Sequence, residues 1–306
     1  MKTPVALIIF NRPDCTARVF KAVAKAKPEK LLVIADGPRS NKPDDAEKCA
    51  ATRAVIEQVD WDCQVLTEYS HINLGCRKRV SSGIDWVFKQ VEEAIIIEDD
   101  CLPHSSFFPY CEELLYRYRQ DERIMMISGL NFLGEWKTSS QSYYFSYFGG
   151  IWGWASWRRA WDKYDCDLKI WPQVLETKVL EQMFPDLRHY EYWKNIFQQV
   201  YEAKIDTWDY QWLLACWINS GYRIFPEVNL ITNIGFGSDA THTFGDSPLA
   251  NMPAQEISFP LKHPQFVMRS VEADNRIQEM FCDLSSSGTP AKGVAARIAG
   301  RLGLLR

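Results

Sequence analysis

The sequence predicts an α/β fold with a mostly parallel central sheet and helices on both faces. Two observations predict it. Short apolar runs, typical of strands that are covered on both faces, recur through the first 130 residues. Segments with the apolar spacing of helices separate these runs, and such alternation indicates parallel βαβ units. The chain has 306 residues, of which 46% are hydrophobic, which is enough for one large domain of this class.

The predicted elements follow one another along the chain. In the first half we expect strands at 5–10, 31–35, 64–67, 94–97 and 124–127. The intervening helices are predicted from Pro13, which suits the first helical turn, and at 44–59, 80–91 and 107–118. The second half is less regular. Helices are predicted there at 188–203 and 210–220, followed by a strand at 222–225.

Composition and charge narrow the substrate classes and the cellular compartment that we expect for this protein. A formal net charge of −4 and a pI of about 5.8 argue against a nucleic-acid partner and favour small-molecule substrates. Nine cysteines without C-x-x-C pairs indicate free thiols in a reducing cytosol, with neither a disulfide framework nor a zinc site. We find no apolar stretch long enough to span a membrane and no signal peptide, so we expect a cytoplasmic protein.

Three consecutive carboxylates, Glu98, Asp99 and Asp100, directly follow the apolar strand predicted at 94–97. In an open α/β sheet the carboxyl ends of the strands face the ligand crevice. Adjacent carboxylates repel one another there unless a cation lies among them. We interpret the triplet as the site of a divalent ion that diphosphate oxygens and water also bind. The alternatives are a solvated acidic turn and a magnesium site of a phosphatase-like enzyme.

Residues 95–103, Ile-Ile-Ile-Glu-Asp-Asp-Cys-Leu-Pro, followed by a Phe-Phe pair, resemble the metal-binding segment of GT-A glycosyltransferases, whose fold is Rossmann-like. The segment is most similar to the N-acetylglucosaminyltransferase I group and to related bacterial nucleotide-diphospho-sugar transferases. The resemblance implies that Asp100 contacts Mn²⁺ or Mg²⁺ and that Asp99 and Glu98 face the sugar and ribose of the donor. It extends over roughly residues 4 to 240, with the triplet as its specific motif.

Other residues of this chain correspond to positions where the family binds the nucleotide of the donor. Arg12, after the first strand, corresponds to an arginine that reaches the donor phosphates, and Asp36, after the second strand, to an aspartate that bonds the nucleobase. Arg77 opens a basic run where the family has basic or imidazole side chains near the nucleotide. The exact register in that helix stays open.

Inverting sugar transfer needs a base for the acceptor hydroxyl. Asp209 is the candidate, because it opens a predicted helix whose dipole favours a carboxylate. The related enzymes carry a similar Trp-Asp-Asp-Trp, whereas Tyr210 stands here at the second aspartate. The alternative is that Asp209 is a plain helix N-cap.

The segment 143–161 is rich in aromatic residues and glycine. Glycine lets backbone approach a ligand closely, and flat aromatic faces suit the apolar face of a pyranose. We expect either Trp152 or Trp154 to contact sugar, and Trp157 and Trp161 to pack in the core. His242 resembles the late histidine that many GT-A enzymes bring to the metal, and the alternative is a lone surface histidine.

These observations predict a single GT-A-like catalytic domain at 1–284, with a nucleotide-sugar-binding half at 1–130 and an acceptor half at 131–284. Residues 285–306 read as a linker and a basic amphipathic tail, suited to a peripheral membrane contact, to an oligomer contact or to a poorly ordered end.

We expect metal-dependent transfer of a hexose or N-acetylhexosamine to a hydroxyl of a glycan or glycolipid, with inversion. UDP-sugar donors are favoured by the resemblance. One alternative is a carbohydrate-binding protein with a decayed site. Another is a sugar-1-phosphate nucleotidyltransferase, which should carry a glycine-rich loop after the first strand, where residues 11–14 have no glycine.

Overall fold

The computed structural model describes residues 1–136, 141–236 and 252–286. Within these ranges the strands are β1 (Val5–Ile9), β2 (Lys30–Ala35), β3 (Gln64–Tyr69), β4 (Glu93–Glu98), β5 (Cys101–Pro103), β6 (Ile124–Ser128), β7 (Tyr143–Ser146), β8 (Trp154–Trp157), β9 (Tyr222–Pro226) and β10 (Ile231–Asn233). The helices are α1 (Pro13–Ala26), α2 (Asp45–Ala54), α3 (Gly75–Gln90), α4 (Phe107–Tyr118), α5 (Arg158–Trp161), α6 (Trp171–Glu176), α7 (Val179–Met183), α8 (Leu187–Tyr201), α9 (Asp209–Ile218) and α10 (Val271–Ser286).

Eight strands form one twisted layer in the order β3-β2-β1-β4-β8-β6-β9-β7. Strands β1, β2, β3, β4, β6 and β9 run in one direction, and only β7 and β8 of this sheet run against them. A second, two-stranded sheet pairs β5 with β10. The predicted fold class, α/β with a mostly parallel sheet, is confirmed.

Both faces of the sheet are covered, as the continuous apolar strands indicate. On β1, Val5, Leu7 and Ile9 belong to one buried cluster, and Ala6 and Ile8 belong to another on the opposite face. Successive side chains of a strand point to opposite faces, so an uninterrupted apolar run is needed where helices pack on both. Residues of α1 and α4 complete the first cluster, and residues of α3 and α9 complete the second.

Among the described elements, eight lie where the sequence predicts no strand or helix: β5, β7, β8, β10, α5, α6, α7 and α10. Strands β7 and β8 occupy the aromatic segment, α10 follows at 271–286, and its last residues overlap the stretch that reads as a linker. Every residue of β7 and β8 is buried, so no polar alternation marks these strands in the sequence. No described helix has both the length and the apolar composition required to cross a membrane.

The register of the parallel strands fixes which loops meet. Ile8 of β1 lies beside Glu98 of β4, and Ile9 lies beside Ala35 of β2. The residues that follow these three strands therefore emerge together at one edge of the sheet. They include Arg12, Asp36, Asp99 and Asp100, and Glu98 is the last residue of β4, so the sheet itself gathers side chains that are distant in sequence.

Candidate active site

The centre of this edge is an ion pair between Arg12 and Asp100. The guanidinium Nη1 lies 2.8 Å from Asp100 Oδ2, and the two side chains are 17% and 18% exposed. Gly235, just after β10, passes directly over the pair. A Cβ at that position would collide with the carboxylate of Asp100 and with Arg12 Nη1, so the close approach requires glycine.

The other two carboxylates of the triplet have different surroundings. Asp99 accepts a hydrogen bond of 3.0 Å from the backbone N–H of Phe10, and burial raises the pKa of its carboxyl. Glu98 has a buried Oε1 without a hydrogen-bond partner within the described ranges. Burial and the neighbouring charges of Asp100, Asp99 and Asp209 raise the pKa of Glu98 well above its ordinary value. An unpaired buried carboxylate oxygen is costly, so Glu98 is suited to a cationic or donor ligand.

Asp36 organises the start of α3. Its carboxylate accepts hydrogen bonds from the backbone N–H groups of Gly37, Leu74 and Gly75 at 2.9 to 3.1 Å and from Asn73 Nδ2 at 3.0 Å. Burial raises the pKa of Asp36, and the backbone donors act against that rise. Both oxygens are occupied by protein donors, so Asp36 shapes the loop at this edge of the sheet.

A second carboxylate, Asp206, caps α3 from the other half of the chain. It accepts hydrogen bonds from the backbone N–H groups of Cys76 and Arg77 at 3.1 and 3.2 Å. The guanidinium of Arg77 donates hydrogen bonds of 2.7 and 3.0 Å to the carbonyl of Cys166 and one of 3.0 Å to the carboxylate of Asp167. Sequence reasoning missed Asp206, because only the tertiary fold brings it to the helix it caps.

Asp209 is the first residue of α9 and is 8% exposed. The hydroxyl of Thr207 donates a hydrogen bond to its carboxylate. Burial raises the pKa of Asp209 to about 6, against the opposing effects of Thr207, of backbone N–H groups and of Arg223. The charge of Asp209 is one of the causes that raise the pKa of Glu98, so Asp209 lies within electrostatic range of the acidic triplet.

A partly enclosed cavity of about 30 Å³ lies beside Asp209. Its walls are Gly149, Gly150, Ile151, Trp152, Trp193, Asp209, Tyr210, Leu213, Arg223 and Phe281. The ring of Trp152 also meets Phe236 edge-on, with 6.0 Å between ring centroids. Phe236 directly follows the glycine that covers the Arg12–Asp100 pair, so Trp152 contacts both this cavity and the segment over the triplet.

Trp154 lies in the core. It is 1% exposed and packs against Trp208, Trp212 and Trp161, with ring centroids 5.7 to 6.1 Å apart. Of the two tryptophans expected to contact sugar, Trp152 is therefore the one placed beside a cavity, and Trp154 is corrected to a packing residue. Trp157 and Trp161 are 2% and 3% exposed, as expected for core residues.

Among the described residues, Asp186, His189 and Glu279 are close enough together to bind one metal ion. Their potential ligand atoms lie within 4.8 Å of one another. The side chains of Asp186 and Glu279 are 38% and 49% exposed, and Arg188 lies 2.7 Å and 3.7 Å from them, so water and a protein cation both stabilise the charges of that cluster. The acidic triplet instead contains the buried, unpaired Oε1 of Glu98 and, two residues later, the carboxylate of Asp100, which pairs with Arg12. Such hard oxygen donors fit Mg²⁺ or Mn²⁺ that is completed by phosphate oxygens and water. His242 lies outside the described residues.

No protein family model and no curated protein matches the sequence. Among solved structures, the chain is similar to TarS from S. aureus, with 13% identity, a TM-score of 0.38, and coverage of 55% of this chain and 52% of that one. It is similar to an apo UDP-glucose pyrophosphorylase, with 10% identity, a TM-score of 0.36 and coverage of 75% and 93%. A 4-diphosphocytidyl-2C-methyl-D-erythritol synthase from Anaerococcus prevotii matches at 9% identity, a TM-score of 0.32 and coverage of 52% and 72%. The chain thus spans about half the length of the TarS fragment.

Proposed function

We propose that this protein is a metal-dependent glycosyltransferase. It moves a hexose or N-acetylhexosamine from a nucleotide-diphosphate sugar, with UDP favoured, to a hydroxyl of a glycan or glycolipid, with inversion. The observation that carries the proposal is the meeting of Arg12, the Glu98–Asp100 triplet and Asp209 at one edge of the sheet. A cation, a cluster of carboxylates and a separate buried carboxylate are the groups that transfer from a diphosphate donor requires.

The Arg12–Asp100 ion pair suits a site that exchanges partners when the donor binds. Asp100 and Glu98 are the residues that would hold Mn²⁺ or Mg²⁺, and the ion would offset the charge that develops on the departing nucleotide diphosphate. Arg12 would bind the diphosphate, whose oxygens suit a forked guanidinium. Asp36 would act on the nucleotide indirectly, through the α3 loop that it holds.

Asp209 is proposed as the base that accepts the proton of the acceptor hydroxyl. It comes from the second half of the chain, which a base acting opposite the leaving group requires. Its pKa of about 6 leaves the carboxylate ionised at neutral pH and close enough to neutrality to accept a proton in the transition state.

The first test is calorimetric titration of UDP, GDP and CMP into the purified protein, with and without Mn²⁺. We expect one nucleotide to bind only with metal and its binding to be lost in Asp100→Ala. Asp186→Ala is the matched control, since it removes a carboxylate from the other cluster of potential ligands. It should leave nucleotide affinity unchanged.

If Asp186→Ala loses nucleotide binding and Asp100→Ala does not, the metal binds at Asp186, His189 and Glu279, and the assignment of the metal to the triplet is refuted. Absence of binding by every nucleotide with metal present would favour the carbohydrate-binding alternative. Formation of UDP-sugar from UTP and a sugar 1-phosphate would instead identify a nucleotidyltransferase.

A further inference from the structure

The cavity beside Asp209 contains two buried hydrogen-bond donors without acceptors. Arg223 is 1% exposed, and its Nη2 donates to the carbonyl of Gly149 at 2.7 Å, whereas its Nε–H meets no acceptor in the described part of the chain. Tyr210 is 4% exposed, and its hydroxyl likewise has no partner among the described residues. Buried donors of this kind are rare in folded proteins unless water or a ligand satisfies them.

We propose that this cavity is an acceptor subsite for a neutral N-acyl group, the acetamido group of an N-acetylhexosamine acceptor. The inference rests on the proposed function, because Asp209 as base locates the acceptor hydroxyl next to the cavity. The carbonyl oxygen of the group accepts from Arg223 and Tyr210, and its methyl group contacts the apolar walls.

The size and the lining of the cavity suit such a group. One water needs about 10–15 Å³ of the same kind of volume, so a cavity of about 30 Å³ admits a substituent of a few heavy atoms but no second sugar ring. Trp152, Trp193, Leu213 and Phe281 supply apolar surface. A wall of this composition favours a methyl-bearing group over a bare hydroxyl.

The charge around Arg223 selects a neutral group over an anionic one. Asp209 and Asp274 both lie within electrostatic range of the guanidinium. Asp274, on α10, also accepts a hydrogen bond of 2.5 Å from the Ser146 hydroxyl. Asp274 is also paired with Arg269 at 3.3 Å, so two guanidiniums and two carboxylates balance one another, and a carboxylate or phosphate substituent would add an unmatched negative charge to a buried site.

The subsite is tested with methyl glycosides of N-acetylglucosamine and N-acetylgalactosamine, each compared with its 2-hydroxy parent by NMR titration in the presence of UDP and Mn²⁺. We expect at least one N-acetyl glycoside to bind roughly tenfold more tightly than its parent, because two buried donors gain an acceptor. Equal affinities within each pair, or no measurable binding of either N-acetyl glycoside, would overturn the proposal.

Tyr210→Phe removes one donor while keeping the ring, so the preference for the N-acetyl glycoside should fall about fivefold. Tyr110→Phe is the matched control, since Tyr110 is also fully buried with an unpartnered hydroxyl but lies on α4, outside the cavity walls. A preference that survives Tyr210→Phe unchanged would place the acyl group elsewhere. Metal-dependent UDP binding by the same samples reports separately on the proposed function.

Discussion

Replacing Asp209 by Asn should abolish turnover and, at neutral pH, stabilise the protein. Burial raises the pKa of this carboxyl from its ordinary value of 3.8 to about 6. At 1.36 kcal/mol for each pKa unit, this difference corresponds to about 3 kcal/mol by which folding disfavours the ionised form. Keeping Asp209 ionised in a buried position lowers the stability of the folded protein, but its proposed role as base requires it.

The sign of the pH dependence follows from proton binding. Because the folded state holds the Asp209 proton more tightly, its contribution to stability is fully present below pH 3.8 and is lost as the pH rises through about 6. Asn cannot ionise and shows no such loss. The stability of Asp209→Asn relative to the wild type should therefore improve by about 2.4 kcal/mol between pH 4 and pH 8, because part of the contribution is already lost at pH 4. The fixed effect of the new amide on the Thr207 hydrogen bond cancels in this comparison.

Urea unfolding of both proteins at several pH values between 4 and 8 measures this difference. Asp206→Asn is the control, because it weakens the cap of α3 and should destabilise by about 0.5–2 kcal/mol. A relative stability of Asp209→Asn that changes by less than about 1 kcal/mol over this pH range would refute the reasoning. Undiminished turnover of that variant would remove Asp209 as the base.

Three further predictions concern activity and the scaffold of the site. The kcat/KM of the wild type should fall about tenfold per pH unit below about pH 6, since Asp209 must be ionised to act as base, and a flat profile down to pH 5 would contradict this. Asp36→Asn should lower the free energy of unfolding by about 2 kcal/mol, measured in urea, because four backbone and side-chain groups lose a charged acceptor; an unchanged midpoint would contradict that role. Trp154→Ala should cost about 3–5 kcal/mol of stability while leaving UDP affinity within about twofold, and a selective loss of sugar or nucleotide binding in folded protein would return Trp154 to the site.

Much of the fold follows from local patterns. Strands β1, β2, β4 and β6 and helices α1, α4, α8 and α9 lie within a few residues of their predicted positions. Each of these strands is an apolar run between turn residues. Helices α1, α4 and α8 have a well-marked apolar face, whereas α9 is apolar over most of its length and is buried on nearly all sides. The start of α3 lies five residues before its predicted position at 80, because its caps come from Asp36 and Asp206, which are remote in sequence.

The candidate site also has a part that is predictable from the sequence and a part that is not. The triplet was recognisable because three carboxylates at the end of an apolar strand are unusual, and the position of Arg12 followed from the end of β1. The roles of individual side chains were not recognisable. Arg77 turns to the carbonyl of Cys166, and Trp154 packs among other tryptophans, because the partners that decide these orientations come from other parts of the chain.

The sequence by itself determined the α/β class, the strand ends that carry functional groups and the carboxylates that suit a divalent ion, because apolar periodicity and charge are local properties. Only the tertiary structure decided which of these groups meet. The pairing of β1 with β2 and β4 brings Arg12 to Asp100, and the packing of α9 against the sheet buries Asp209 near Glu98. The cavity and its two unpartnered donors likewise arise where α8, α9, α10 and β9 come together, and burial at such junctions cannot be read from any single segment.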